Sequence, residues 1–437
     1  MNFALLLIMI TGCAALLWWG CLGKGRIYEF PFLAGATFFG FILPQAVGLL
    51  RDRDLPGGAL QKTFVMAILC AAMCYVGYVW RKAPLRSFQW SLEQRRLLQV
   101  SAILSAVGAW FFQEISHLPE ELTGVTQWSG VPVAYLFFAQ ILSYGFAIAV
   151  LLFFKTNSKW ALGIALFDAC FYLDRIFIAG RRGVALEFVF IVVLGVWFGR
   201  GRALPKWAMI SAILGGTLAL HSTGDYRGVT LDEEGPQWNK VTEIPMVANL
   251  RELMADGGNE LRNVVYMIEA ADETADFDYG LFHWNTLVFN YVPAQVVGEE
   301  FKQSLMISLK DVAADLFGYE ANVGTTRTGL VDSFRSFWYL GCLKFLLIGF
   351  VMSKLYSGAV TGNTTAQLYY MLIIVPSLHS ITHHTQWFVS PWVHMGIFLL
   401  PGLIFARIRK QKLSRRNPFS PLLVSQTSPV PALPAQP

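Results

Sequence analysis

Hydrophobic residues along this chain gather into long blocks separated by short polar joints. Eleven blocks stand out, near 3–22, 28–50, 62–80, 97–115, 131–154, 160–179, 184–199, 207–222, 337–356, 366–381 and 388–406. Each is close to the ~20 apolar residues with which a helix crosses ~30 Å of hydrocarbon. The pattern predicts an all-α, polytopic integral membrane protein. Eight spans occupy 1–222, a large hydrophilic section 223–336, three further spans 337–406, and a basic then Pro-rich tail 407–437 is expected to be disordered.

The joints carry the topology. Arg81, Lys82, Arg86, Arg95 and Arg96 follow the third span, and alternate joints hold Lys24 and Arg26, Lys155 and Lys159, Arg200, Arg202 and Lys206, and Lys354. With Arg407, Arg409, Lys410, Lys412, Arg415 and Arg416 of the tail, 19 of the 34 basic residues fall on one side. The bias of lysine and arginine toward cytoplasmic loops then places the N-terminus outside and the C-terminus in the cytoplasm.

Composition agrees, with 55% hydrophobic and 14% charged residues, where a soluble domain has about 25% charged. The net charge of +5 follows the topology and does not indicate a nucleic-acid partner. All six cysteines lie inside apolar blocks, which gives no disulfide framework and no metal-type cluster. The section 223–336 is acidic, with 19 of the 29 acids against eight basic residues. Helix-like stretches around 244–254 and 261–268 flank an Asp256-Gly257-Gly258 turn, and the aromatic-rich run 277–293 is expected to fold back over the outer surface.

Four stretches carry candidate chemistry. The first is 168–187, where Asp168, Asp174, Arg175, Arg181, Arg182 and Glu187 interrupt apolar sequence. Charges at membrane depth cost about 2.5–3.5 kcal/mol on insertion scales, so they are retained for pairing or function. Asp168, Arg175 and Arg182 recur every seven residues and share a face if the helix continues. Arg181 and Arg182 fall on the outside, against the charge bias, and guanidinium forks suit phosphate or diphosphate. Asp174, Arg175 and Glu187 suit bracing between helices. The second is His221 to Gly228, with Asp225 and Arg227; helix capping is its plain alternative. The third is Gly324 to Gly341, in which Arg327, Thr328 and Arg335 suit an anionic or sugar ligand. The fourth, His379 to Trp387 with His383 and His384, offers a general base or a sugar hydrogen-bonder. No zinc-type spacing, P-loop or GxSxG is present.

Together these stretches resemble the bacterial oligosaccharide repeat-unit polymerases, the O-antigen polymerase-like family. Three pieces carry the resemblance: Gly180-Arg181-Arg182-Gly183; Gly280 with Asn290-Tyr291-Val292-Pro293 and Gly298-Glu299-Glu300-Phe301-Lys302; and Thr328-Gly329-Leu330-Val331-Asp332-Ser333-Phe334 with Tyr339-Leu340-Gly341. They lie within 160–345, and Ala294 and Gln295 stand where members often have a basic residue after the proline. The resemblance implies a membrane-embedded glycosyltransferase of the inner membrane that joins polyprenyl-diphosphate-linked oligosaccharide units on the periplasmic face, without a soluble cofactor or metal. It implies Arg181 and Arg182 at the leaving diphosphate, with Arg327 or Arg335 assisting. His383, His384, His283 and Asp225 are candidate bases, and Arg227, Lys302 and Thr328 further substrate contacts. Tyr279, Trp284 and Tyr291 supply sugar-stacking surfaces. Its partners would be the lipid-linked glycan, the bilayer, and a chain-length regulator and flippase of the same pathway. A ligase acting on the same lipid carrier, or a glycolipid flippase, is the alternative.

Overall fold

A computed structural model of the chain describes residues 1–80, 90–119, 130–231, 235–292, 294–310, 312–322 and 324–408. Residues 1–407 form one unit. Of the tail, only Arg407 and Ile408 are among the described residues, so its expected disorder lies outside them, as does the basic joint 81–89.

The fold is helical, and eight helices among the described residues are long and apolar enough to cross a membrane. They are α1 (Asn2–Cys21), α2 (Phe30–Leu49), α3 (Ala59–Val79), α4 (Gln94–Ser116), α5 (Val131–Thr156), α7 (Arg182–Arg200), α13 (Thr328–Val360) and α15 (Gln386–Ala406). The other three predicted spans also fall on helices: α6 (Lys159–Phe177), α8 (Lys206–His221) and α14 (Thr364–Thr382). These miss that measure for separate reasons. α6 carries Lys159, Asp168, Asp174 and Arg175, α8 has 16 residues, and α14 is diluted by Gln367, Tyr369, Tyr370 and His379. α14 is also the most enclosed, with every residue from Thr365 to Val375 buried. A helix surrounded by protein need not match lipid, and its polar groups find partners there, as Tyr370 OH does on Tyr28 O at 2.5 Å.

Contacts sort the joints into two ends. At one, Lys206 Nζ reaches Cys21 O (3.2 Å), Arg200 Nη2 reaches Asn157 Oδ1 (2.6 Å), Lys155 Nζ reaches Thr364 Oγ1 (2.8 Å), and Leu92 pairs with Arg407. The described basic joints thus share an end. The opposite end carries the hydrophilic section, which contains α9 (Thr223–Thr230), α10 (Met246–Asp256), α11 (Asn259–Thr274) and α12 (Leu281–Tyr291). There Arg262 pairs with Asp52 at 2.8 Å and Tyr226 OH donates to Phe177 O at 2.8 Å.

Close helix crossings depend on glycine. A Cβ on Gly77 of α3 would sit 2.0 Å from Leu346 O of α13, and one on Gly349 of α13 would sit 2.5 Å from Cys74 O of α3. A Cβ on Gly48 of α2 would sit 2.1 Å from the backbone of Gly257, which has φ +79 and turns the chain between α10 and α11. Gln45 of α2 ties down the same corner, with its amide on Phe41 O and its oxygen accepting from Leu261 N, both at 2.9 Å. The two predicted helical stretches and their glycine turn are therefore docked on the bundle.

Two histidines serve backbone carbonyls. Pro44 has no N–H to return to Gly40 O, and the surrounding turn, Phe38–Ile42, widens to a π-helix. His221 Nε2 donates to that oxygen at 2.9 Å. In α5 the helix breaks after Ala139, and His394 Nε2 donates to Phe137 O at 2.9 Å while its Nδ1 accepts from Tyr144 OH at 2.6 Å.

α13 begins at Thr328, ahead of the 337 boundary expected from hydropathy. Its first ten residues are an amphipathic helix that buries Thr328 to Phe334, after which Trp338, at φ 53, breaks the line before the apolar run.

Candidate functional site

Three arginines gather at the end that carries the hydrophilic section. α6 stops at Phe177, and Gly180, at φ +55, turns the chain before α7 begins at Arg182. The turn interrupts the seven-residue spacing of Asp168, Arg175 and Arg182, so these do not form the continuous seam that the spacing predicted. Asp168 instead accepts from Ser105 Oγ at 2.7 Å, and Arg175 lies over the Phe112 ring at 5.1 Å. Glu187 lies beside Tyr172 and Ser143 and faces the charge of Arg175. These groups brace α4, α5, α6 and α7.

Beyond the turn, Arg181 and Arg182 are exposed. Arg182 Nη1 donates to Leu220 O at 2.9 Å, and Arg227 Nε donates to Gly180 O at 3.3 Å. Arg227 is held below the usual guanidinium range by burial and then by the charges of Arg181 and Arg182, which marks three like charges within reach of one another. Among the described residues none of the three forms an ion pair, and Glu260 is the carboxylate that acts on Arg182. Guanidinium groups held together, with no ion pair among the described residues, suit an anion.

The turn between α14 and α15 borders this patch. A Cβ on Gly183 would meet His379 Cε1 at 2.9 Å, so the ring packs on the first turn of α7. Trp387 lies against His379, His383 and His384, with ring centroids 5.1, 5.4 and 6.2 Å apart. Burial, then His379, His384 and Arg182, pushes His383 down to about 3. Burial also lowers His384, whose Nδ1 is buried and has no hydrogen-bond partner among the described residues. Both imidazoles are neutral near pH 7, and His383 Nδ1 lies 2.8 Å from Thr382 Oγ1.

Through Phe282, 5.3 Å from the His384 ring, the band continues to His283. His283 Nδ1 donates to Gln386 Oε1 at 2.7 Å, and Nε2 accepts from Lys344 Nζ at 2.7 Å. Lys344 completes its three donors on Ser336 Oγ (2.8 Å) and Asp332 O (3.1 Å). Asp332 Oδ2 accepts from both N and Oγ1 of Thr385, at 2.9 and 2.6 Å. Burial and the Lys344 charge hold His283 below the ordinary imidazole range. Both nitrogens of His283 are occupied, so its place is in a brace that joins α12, α13 and α15. Lys344 is the residue that hydropathy reading passes over. Its signal is a lysine at the start of an apolar run.

The remaining candidates scatter. Asp225 Oδ2 accepts from Asn249 Nδ2 at 2.6 Å. Trp284 Nε1 donates to Leu305 O at 2.8 Å, with half its surface open, and Tyr279 is 70% exposed. Tyr291 OH donates to Ser390 O. Lys302 Nζ donates to Phe289 O at 3.0 Å and lies over that ring, and Arg335 Nη2 donates to Lys310 O at 3.3 Å. Arg327 is exposed. Thr328 is fully buried at φ 51 with its hydroxyl on Leu330 N, so it faces the fold's interior and not a ligand. No contact among the described residues joins Lys302, Arg335 or Trp284 to the arginine patch. Pro293 lies outside the described residues.

No protein family, curated protein or solved structure matches this chain.

Proposed function

We propose that this protein is a membrane-embedded glycosyltransferase that polymerises polyprenyl-diphosphate-linked oligosaccharide repeat units on the periplasmic face of the bacterial inner membrane. The observation that carries the reading is the convergence of Arg181, Arg182 and Arg227, without ion pairs among the described residues, beside the neutral histidines of the α14–α15 turn. An acceptor sugar hydroxyl attacks the anomeric carbon of the donor unit, and the bond from that carbon to the diphosphate oxygen breaks. The electron pair leaves with the diphosphate, where fixed guanidinium charge stabilises it as it develops. His383 or His384 takes the hydroxyl proton. An arriving diphosphate raises the affinity of a nearby imidazole for that proton, because it offsets the arginine charges. The N-terminus lies outside and the basic end in the cytoplasm in this reading, and a chain-length regulator and a flippase supply and limit the substrate.

Purified protein given lipid-linked repeat units in detergent is expected to yield a ladder of longer products. Absence of any extension sinks the reading. In a deletion strain, single units remaining on their acceptor mark a polymerase, whereas loss of even single units points to a ligase. Translocation of the glycolipid without new bonds points to a flippase.

A further inference from the structure

α8 presents Trp207, Ile210 and Leu214 outward, 71%, 58% and 53% exposed. With Leu218 these residues recur at three- and four-residue intervals, so they form one apolar stripe up the helix. The stripe ends in an open groove of 770 Å³, where Leu218 faces Ile244, Met246 and Val247 at the start of α10. Val247 also lines an adjoining hollow of 400 Å³, with Val47, Arg51, Arg251 and Met254. Arg51 and Arg251 are exposed and form no ion pair among the described residues. An outward-facing apolar track therefore leads to two exposed guanidinium groups beyond the end of α2, unpaired among the described residues.

We infer that this groove binds an anionic glycerophospholipid of the surrounding leaflet, one acyl chain along the α8 stripe and the phosphate between Arg51 and Arg251. The chain fits because α10 is amphipathic and leaves Met246, Val247 and Met254 open, the arrangement of a helix lying in the headgroup boundary. The phosphate fits because planar guanidinium forks hold it with charge-assisted bonds. The groove is continuous with the lipid-facing surface of α8, so it exchanges with bulk lipid, and a glycerophospholipid is the bulk anionic component. The inference rests on the membrane location alone and not on the transferase reading.

Native mass spectrometry of the full chain in detergent, with phosphatidylglycerol or phosphatidylcholine of matched acyl chains, tests it. Phosphatidylglycerol is expected to bind about thirty-fold more tightly, the effect of two basic residues beside an anionic surface. Arg51→Gln with Arg251→Gln removes the preference, Arg51→Lys with Arg251→Lys keeps it, and Val247→Glu loses binding of both lipids. Equal binding of the two lipids by the unaltered protein, or a preference that survives the double glutamine variant, overturns the inference. Displacement by inorganic phosphate alone, or by polyprenyl phosphate at lower concentration, overturns the choice of occupant. Glycan extension by the glutamine variant is expected to be unchanged, so a failure here and a failure of the transferase reading are separable.

Discussion

Lys344 Nζ donates to His283 Nε2 across 2.7 Å, joining the apolar part of α13 to α12 of the hydrophilic section. The ammonium is fully used by His283, Ser336 and Asp332, and the imidazole by Lys344 and Gln386. Such a closed network is costly to open at one member, because the remaining buried partners stay unpaired.

Lys344→Met is therefore expected to destabilise the protein by about 1–3 kcal/mol, with α12 released first. Limited proteolysis between residues 276 and 310, together with the thermal midpoint in detergent, reads both effects. A variant with the original midpoint and cleavage pattern would show that the network is not holding α12.

Arg181 and Arg182 should separate. The Arg181 guanidinium makes no hydrogen bond among the described residues, so Arg181→Ala changes stability by no more than about 0.5 kcal/mol. Arg182→Ala also removes the bond to Leu220 O, at a cost of about 1 kcal/mol. Both are expected to lower glycan extension about 10²- to 10³-fold, as loss of a transition-state donor does. Full activity in both variants excludes the diphosphate role.

Acid should weaken the fold. His383 is pushed down to about 3, while an unfolded imidazole titrates near ~6.5. Below ~6.5 the unfolded chain binds the proton that the folded protein excludes, so this stabilisation is complete above ~6.5 and declines as pH falls toward 3. The thermal midpoint should drop across that window, and less steeply in His383→Gln. Identical slopes for the two proteins would contradict the burial of this ring.

Glycines at close backbone contacts are expected to resist substitution. A Cβ on Gly329 would sit 1.8 Å from Ser380 O, and one on Gly341 would sit 1.7 Å from Ser333 O. Either alanine variant should lose about 1–3 kcal/mol or more and accumulate poorly in the membrane. Gly163 of α6 has nothing within 4 Å, so Gly163→Ala should gain about 1 kcal/mol through helix propensity. Immunoblots of membrane fractions compare the three.

The sequence by itself determined where the helices lie, because a run of apolar residues is a local property. Every predicted span falls on a helix, and the basic joints that are described meet at one end as their alternation requires. It also showed that Arg181 and Arg182 stand apart from Asp168 and Arg175, since their placement broke the charge bias. Only the tertiary structure decided what each polar group does. Hydropathy cannot tell a helix that meets lipid from one enclosed by protein, and α14 is the latter. Nor does spacing along one helix report partners that arrive from far along the chain. His283 meets Lys344 and Gln386, His221 serves Gly40, and Arg227 joins Arg181 and Arg182, each across more than one helix. A histidine is a base, a brace or a cap according to which donors and acceptors surround it, and chain folding alone supplies those neighbours.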